Sequence, residues 1–224
     1  MRKFRSLLVL LVSQLPGEMR ARLMKRLFEF DVHPSARIGL SLIDVNRLEM
    51  GPQSHIGHFN VFRHIDRLTL GESSGFGNVN WVAGEAHVHN PAVDAGDVDR
   101  DCLELGTYAV ITHRHIIDVA GGVSIGSYAA LAGYNSQILT HSINLEKGRQ
   151  ELGKVCIGDY CFIGTASVLL PGASVPGFSV LGACSVLAIM PNAEPYCVYW
   201  GVPARPIKKL NKDNEFFLRT EGIQ

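Results

Sequence analysis

Histidine is the side chain whose charge changes near neutrality, and of the nine in this chain His113, His115 and His141 stand where they invite chemistry. A neutral imidazole takes a proton from a hydroxyl, which is general-base work. His113 and His115 lie two residues apart, so on a strand they would point the same way. With His141 they would make the kind of set that holds a catalytic zinc, although such a site needs convergent geometry that spacing does not supply. Downstream, Arg205, Lys208 and Lys209 form a basic cluster at the start of the closing segment. Asp94, Asp97, Asp99 and Asp101 crowd one segment, but without the glycine and closing glutamate of an EF-hand they read as a solvated acidic loop. Five cysteines, an odd number without zinc spacing, fit reduced thiols in a cytosol. Cys184 falls inside a repeat and is expected to serve as a small core residue.

These residues hang on a beat of six. Ile157, Ile163, Leu169, Val175, Leu181 and Leu187 keep one phase, and Gly158, Gly164 and Gly182 follow directly. A period of six matches neither the 3.6 of a helix nor the 2 of a strand. It describes a short strand, a turn and a return to an equivalent position, so that three repeats close one triangular coil. Stacked coils then bury one aliphatic residue per corner, as in a solenoid. The beat recurs upstream at Ile38, Met50 and Ile56, then two residues out of phase at Leu70 and Phe76, and again at Leu105 with Ile111 and Ile125 with Leu131. Each phase change marks an inserted corner, where binding loops tend to sit. The predicted fold is all-β, a parallel β-helix over residues 31–200 with inserted loops near 84–102 and 142–154. His141 stands at the end of one repeat, just before the second of these.

Residues 1–30 form a separate amphipathic helical segment, and residues 201–224 a C-terminal extension with a short helix. In the first segment Phe4 to Leu15 is nearly all apolar, Pro16-Gly17 interrupts it, and Glu18 to Phe30 reads as a second helix. Leu23, Leu27 and Phe30 are expected to share one face, opposite Arg20, Arg22, Lys25 and Arg26. An apolar run of this length is too short to span a bilayer, and the basic helix after it argues against a signal peptide. Two compatible roles remain: a cap on the open end of the solenoid, and peripheral contact with anionic lipid. A net formal charge of zero over 224 residues argues against a general nucleic-acid binder.

Four segments then carry a resemblance: Val110-Ile-Thr-His-Arg-His-Ile-Ile-Asp118, Gln137-Ile-Leu-Thr-His-Ser142, the repeat block from Cys156 to Gly172, and the closing run from Val198 through Gly201-Val-Pro-Ala-Arg205 to Leu210. In order and spacing they resemble the hexapeptide-repeat acetyltransferases, in particular the maltose, galactoside and xenobiotic O-acetyltransferase branch. The likeness covers roughly residues 105–210, and the first hundred residues share only the rhythm. It implies a left-handed coil, a homotrimer with active sites between neighbouring subunits, and acetyl-CoA as donor with no metal.

By the same resemblance His141 takes the place of the catalytic histidine. His113 stands where the branch usually has an asparagine that helps hold the acceptor. Phe162 replaces a frequent tryptophan against the pantetheine arm. Thr165 and Ala183 match positions whose backbone N–H groups bind the thioester carbonyl and the pantetheine amide, and Arg205 and Lys208 match those that meet the CoA phosphates. The expected activity is acetyl transfer to a saccharide hydroxyl, on a precursor of a bacterial surface polysaccharide, by a cytoplasmic enzyme that touches the inner face of the membrane. The alternatives are an amino-sugar N-acetyltransferase, a zinc-dependent solenoid hydrolyase of carbonic-anhydrase type, and a non-catalytic scaffold.

Overall fold

The structure, a computed structural model, describes residues 2–85 and 99–222. Asp94 and Asp97 of the acidic segment lie outside the described residues. Short strands, nearly all paired in parallel with the coil above and below, wind into a stack. Helix α1 (Arg2–Ser13) and helix α2 (Gly17–Phe28) precede it, and a four-residue helix α3 (Glu215–Leu218) follows.

Three columns of side chains fill the interior. The first runs Ile43, Phe62, Val82, Ile117, Ile138, Leu169, Leu187. The second runs Val32, Met50, Leu70, Leu105, Ile125, Ile157, Val175. The third runs Ile38, Ile56, Phe76, Ile111, Leu131, Ile163, Leu181 and ends on Tyr199. All are buried, each large apolar side chain contributing about 1.5–3 kcal/mol by leaving water. Every aliphatic of the period-six run therefore points inward.

The columns define three edges. The first edge, between the third and first columns, carries an inward ladder of small polar residues: Ser41, Asn60, Asn80, His115, Ser136, Ser167 and Ser185. Each member satisfies the backbone of a neighbouring coil, as where Asn60 Oδ1 accepts from Asn80 N at 2.9 Å and Asn80 Oδ1 from His115 N at 2.9 Å. The second edge follows the first column. Here the coils lengthen: the step from Phe62 to Leu70 and from Ile117 to Ile125 is longer than the standard repeat, and residues 139–154 leave the stack at this edge, while most of the loop expected near 84–102 lies outside the described residues. The upstream phase changes arise chiefly from these additions.

The third edge, between the second and third columns, exposes an aromatic stack. Tyr108, Tyr128, Tyr160, Phe178 and Tyr196 lie face to face with centroids 4.6–5.2 Å apart. All five have left-handed backbone, with φ between 56° and 60°, a conformation unfavourable for large residues that the mutual stacking offsets. Phe217 of α3 packs edge-on against Phe178 and Tyr196, and the Arg219 guanidinium lies 5.1 Å from the Tyr160 ring centroid. The C-terminal segment is thus strapped to this edge.

At the other end, Val9 and Val12 of α1 and Met24 and Phe28 of α2 join the same core. Three expectations are corrected here. Arg20 does not face solvent: it is buried, with its guanidinium donating to the carbonyls of Pro34 and Ala36, because the cap crosses unpaired carbonyls at the start of the coil. Leu27 is exposed and the inward face is Arg20, Met24 and Phe28. Cys184 is likewise exposed, at a turn with φ 58°. The inward small slot lies four residues after each core aliphatic, so Ser185 fills it, as Cys161 and Ser179 do in their coils.

Candidate functional site

At the second edge Asp118 ends the strand Ile116–Asp118. Its Oδ1 accepts from Ala120 N at 3.1 Å, fixing the carboxylate against the turn that follows. Its Oδ2 accepts from Thr140 N at 2.6 Å and Thr140 Oγ1 at 2.7 Å, and lies 2.8 Å from His141 Nδ1. Thr140 is itself buried and accepts from Gly121 N through Oγ1. With the carboxylate as acceptor, His141 Nδ1 carries the proton and donates, which leaves Nε2 as the acceptor face. The imidazole is half exposed and the carboxylate nearly enclosed.

His141 also begins a hairpin of His141–Asn144 against Arg149–Leu152, pairing with Leu152 at its base. The stretch expected to be irregular is therefore an antiparallel ribbon. Glu151 accepts from Lys147 and Asn144 at 2.8 and 3.0 Å, which stiffens it. Ile143 and Leu145 near its tip are exposed.

The other sequence candidates sit elsewhere. His113 lies on the first edge, outside the coil: its Nδ1 accepts from Asn78 N at 2.9 Å and its ring stacks on Tyr134. That bond leaves the proton on Nε2, so His113 is arranged as a donor. His115 does not point the same way, because Arg114 takes a left-handed conformation with φ 59° and turns the chain inward. His115 is fully buried in the polar ladder; its Nδ1 accepts from Ser136 N at 3.1 Å and its Nε2 lies 3.0 Å from Thr112 Oγ1. Burial, aided by neighbouring His113, pushes its pKa down to about 4. His113, His115 and His141 do not converge, and among the described residues no three His, Cys, Asp or Glu side chains could hold a metal ion together.

Thr165 occupies the same first edge, its Oγ1 donating to Tyr134 O and accepting from Tyr134 N at 2.8 and 3.0 Å. Ala183 takes the equivalent turn position one coil on. Among the described residues neither backbone N–H has a protein acceptor, so both are free to receive a ligand oxygen. Beside Ala183 the indole of Trp200 covers Gly182 so closely that a Cβ there would meet the ring at 2.9 Å. Trp200 pairs with Arg205 across the hairpin Cys197–Gly201 and Ala204–Lys209, where Lys208 is exposed. Lys209 is engaged by Glu194. Phe162 lies under the C-terminal segment, edge-on to Phe216, and with Val180, Leu210, Asn214 and Phe217 lines a hollow of about 250 Å³.

The candidate residues thus fall into two groups on different edges. His141 and Asp118 stand on the second; His113, Thr165, Ala183, Trp200 and Arg205 gather along the first. Asp118 and Trp200, which the structure brings to these groups, were not among the candidates read from the sequence. The available signals were an acidic residue one coil before the histidine and an aromatic one coil after Gly182.

No protein-family profile matches the chain. A chloramphenicol acetyltransferase of Klebsiella aerogenes is 33% identical over 72 residues, which is 32% of this chain and 33% of that protein. Its counterpart in Morganella morganii is 32% identical over 72 residues, with the same shares of each chain. The match spans about a third of the length of these curated relatives. A hexapeptide-repeat-containing acetyltransferase of Vibrio cholerae superposes with a TM-score of 0.53 over 94% of this chain and 90% of its own, at 18% identity. That likeness shows the shared fold.

Proposed function

We propose that this protein is a CoA-dependent O-acetyltransferase, moving an acetyl group from acetyl-CoA to a saccharide hydroxyl on a left-handed coil that works as a homotrimer. The observation that carries the reading is the His141–Asp118 pair. Asp118 holds Nδ1, so Nε2 faces outward to take the acceptor's hydroxyl proton. As the hydroxyl oxygen attacks the thioester carbonyl, Thr165 N–H donates to the developing oxyanion, a contact typically worth about 3 kcal/mol of barrier. When the carbon–sulfur bond breaks, His141 returns the proton to the departing thiolate, so proton and electron pairs balance. His113 Nε2–H is suited to donating to the acceptor sugar, as asparagine would. Ala183 N–H, Trp200, Arg205 and Lys208 suit the pantetheine amide and the phosphates of the donor, with Phe162 supplying apolar surface only where the C-terminal segment leaves it uncovered.

The separation of the two partial sites supports assembly across copies. His141 of one subunit would face Thr165 of its neighbour, and the exposed Ile143 and Leu145 of the hairpin would dock beside it. A closed cyclic trimer presents three such junctions.

Subunit mixing tests this. His141→Ala and the double variant Arg205→Glu/Lys208→Glu are each expected to lose activity, the first by roughly 10²–10⁴ in kcat. Co-refolded at equal amounts, they should recover about a quarter of wild-type activity, since a quarter of random junctions unite two intact halves. A mixture no more active than its parents, on acetyl-CoA and a panel of glycans read by mass spectrometry, would overturn the shared site.

A further inference from the structure

The outward face of α1 is apolar along its length. Phe4, Leu7 and Leu11 are 73%, 52% and 60% exposed, at helical spacing on one side, while Val9 and Val12 hold the opposite side to the core. Leu8 and Leu10 flank the stripe half-buried, and between Ser6 and Ser13, both buried, the helix has no polar residue at all. A helix facing only water carries polar residues on that side. α2 adds exposed Met19 and Leu27, together with exposed Arg22, Lys25 and Arg26 against a single exposed acidic residue within the helix, Glu18. Beside α1 the coil exposes Leu42 and Trp81, which with Ser6 and Val61 and the polar Asp44, Arg63 and His64 line a hollow of about 550 Å³.

We infer that α1 and α2 form a docking face for an anionic lipid surface, with Phe4, Leu7 and Leu11 entering the headgroup boundary and Arg22, Lys25 and Arg26 meeting lipid phosphates. An apolar helical face with a basic flank is the arrangement that lies in a membrane interface. The complementary charge selects an anionic bilayer over a second copy of this chain, whose matching face would bring like charges together. With no helix among the described residues long and apolar enough to cross a membrane, the contact is peripheral. This differs from the sequence expectation in its geometry. The inserting residues lie on α1, and Arg20 is committed to the cap.

The test is flotation of the full-length protein with vesicles of phosphatidylcholine alone or mixed with phosphatidylglycerol. The wild type should bind the anionic vesicles at least tenfold more tightly than the neutral ones at low salt. Leu7→Asp/Leu11→Asp should lower that binding tenfold or more with an unchanged circular dichroism spectrum, since both side chains are already exposed. Arg22→Glu/Lys25→Glu/Arg26→Glu should abolish the preference for anionic lipid, each basic residue contributing roughly fivefold. Turnover on a soluble acceptor should be unaffected by either variant, which separates this face from the proposed site. Binding unchanged by Leu7→Asp/Leu11→Asp would overturn the inference. A wild type that ignores anionic vesicles but loses a larger assembly on the same substitution would assign the face to a second copy instead.

Discussion

Substituting His115 by asparagine isolates one buried imidazole and gives it a measurable signature. His115 is fully buried and hydrogen-bonded as the neutral form, with Nδ1 accepting from Ser136 N, and its pKa falls to about 4 from an ordinary value near 6.5. A depressed histidine pKa means that the unfolded chain binds the proton more readily. The stabilisation is complete above pH 6.5 and disappears as pH falls through 4. A gap of about 2.5 in pKa corresponds to about 3.4 kcal/mol, of which about 3 kcal/mol is gone by pH 4. Asparagine already occupies this ladder at Asn60 and Asn80, where its Oδ1 accepts the N–H of the next coil. His115→Asn should therefore keep the ladder, lose some packing, and not titrate. Urea unfolding at pH 7.5, 6, 5 and 4 gives the difference in stability between the two proteins. That difference should shift in favour of asparagine by about 3 kcal/mol from pH 7.5 to 4. Taking the difference also cancels titrations common to both proteins. Two parallel pH profiles would refute the reasoning and return His115 to a solvated or already protonated state.

Asp101 should show the opposite sign. Its carboxyl is pushed up to about 6, chiefly by burial and against the hydrogen bond from Glu85 N. Its contribution to stability is present below about pH 3.8 and is lost as pH rises through 6. Asp101→Asn, tolerated at φ 54°, should stabilise the protein at pH 8 by up to about 3 kcal/mol and change little at pH 4, as read by urea unfolding. Leu181→Ala empties a fully buried slot in the third column and should cost about 2–5 kcal/mol; an unchanged melting temperature would displace Leu181 from the core. Asp118→Asn should reduce kcat by at least tenfold while leaving acetyl-CoA affinity near that of the wild type, because it reorients His141 at an edge remote from Thr165 and Arg205; equal losses in both would assign Asp118 to the fold instead.

The rhythm of the chain was legible because it is local. A turn every six residues turns one side chain per repeat inward wherever the strand sits, and Ile157 through Leu187 obey this without exception. Even the phase slips upstream had a visible meaning, as inserted residues. Their common place was not visible, since only the pairing of Leu70 with Leu105 and of Ile125 with Ile157 puts the long additions on one edge, beside Asp118. Cys184 and His115 mark the same boundary between the two kinds of information. Each was assigned a direction from its nearest neighbours in the chain. A single left-handed residue, Cys184 itself or Arg114 before His115, reversed that direction.

The sequence by itself determined the repeat, the inward aliphatics, the position of His141 before an insertion and the basic closing run, because each depends on residues a few positions apart. The tertiary structure alone decided that Asp118 reaches His141 across 23 residues, that His115 serves the core, that the C-terminal segment clasps the aromatic edge, and that His141 and Thr165 stand on different edges. These depend on coil-to-coil register, which accumulates every insertion between two residues. A change of one residue within a strand would turn the side chains after it to another face of the coil. No periodicity within a single coil encodes that sum.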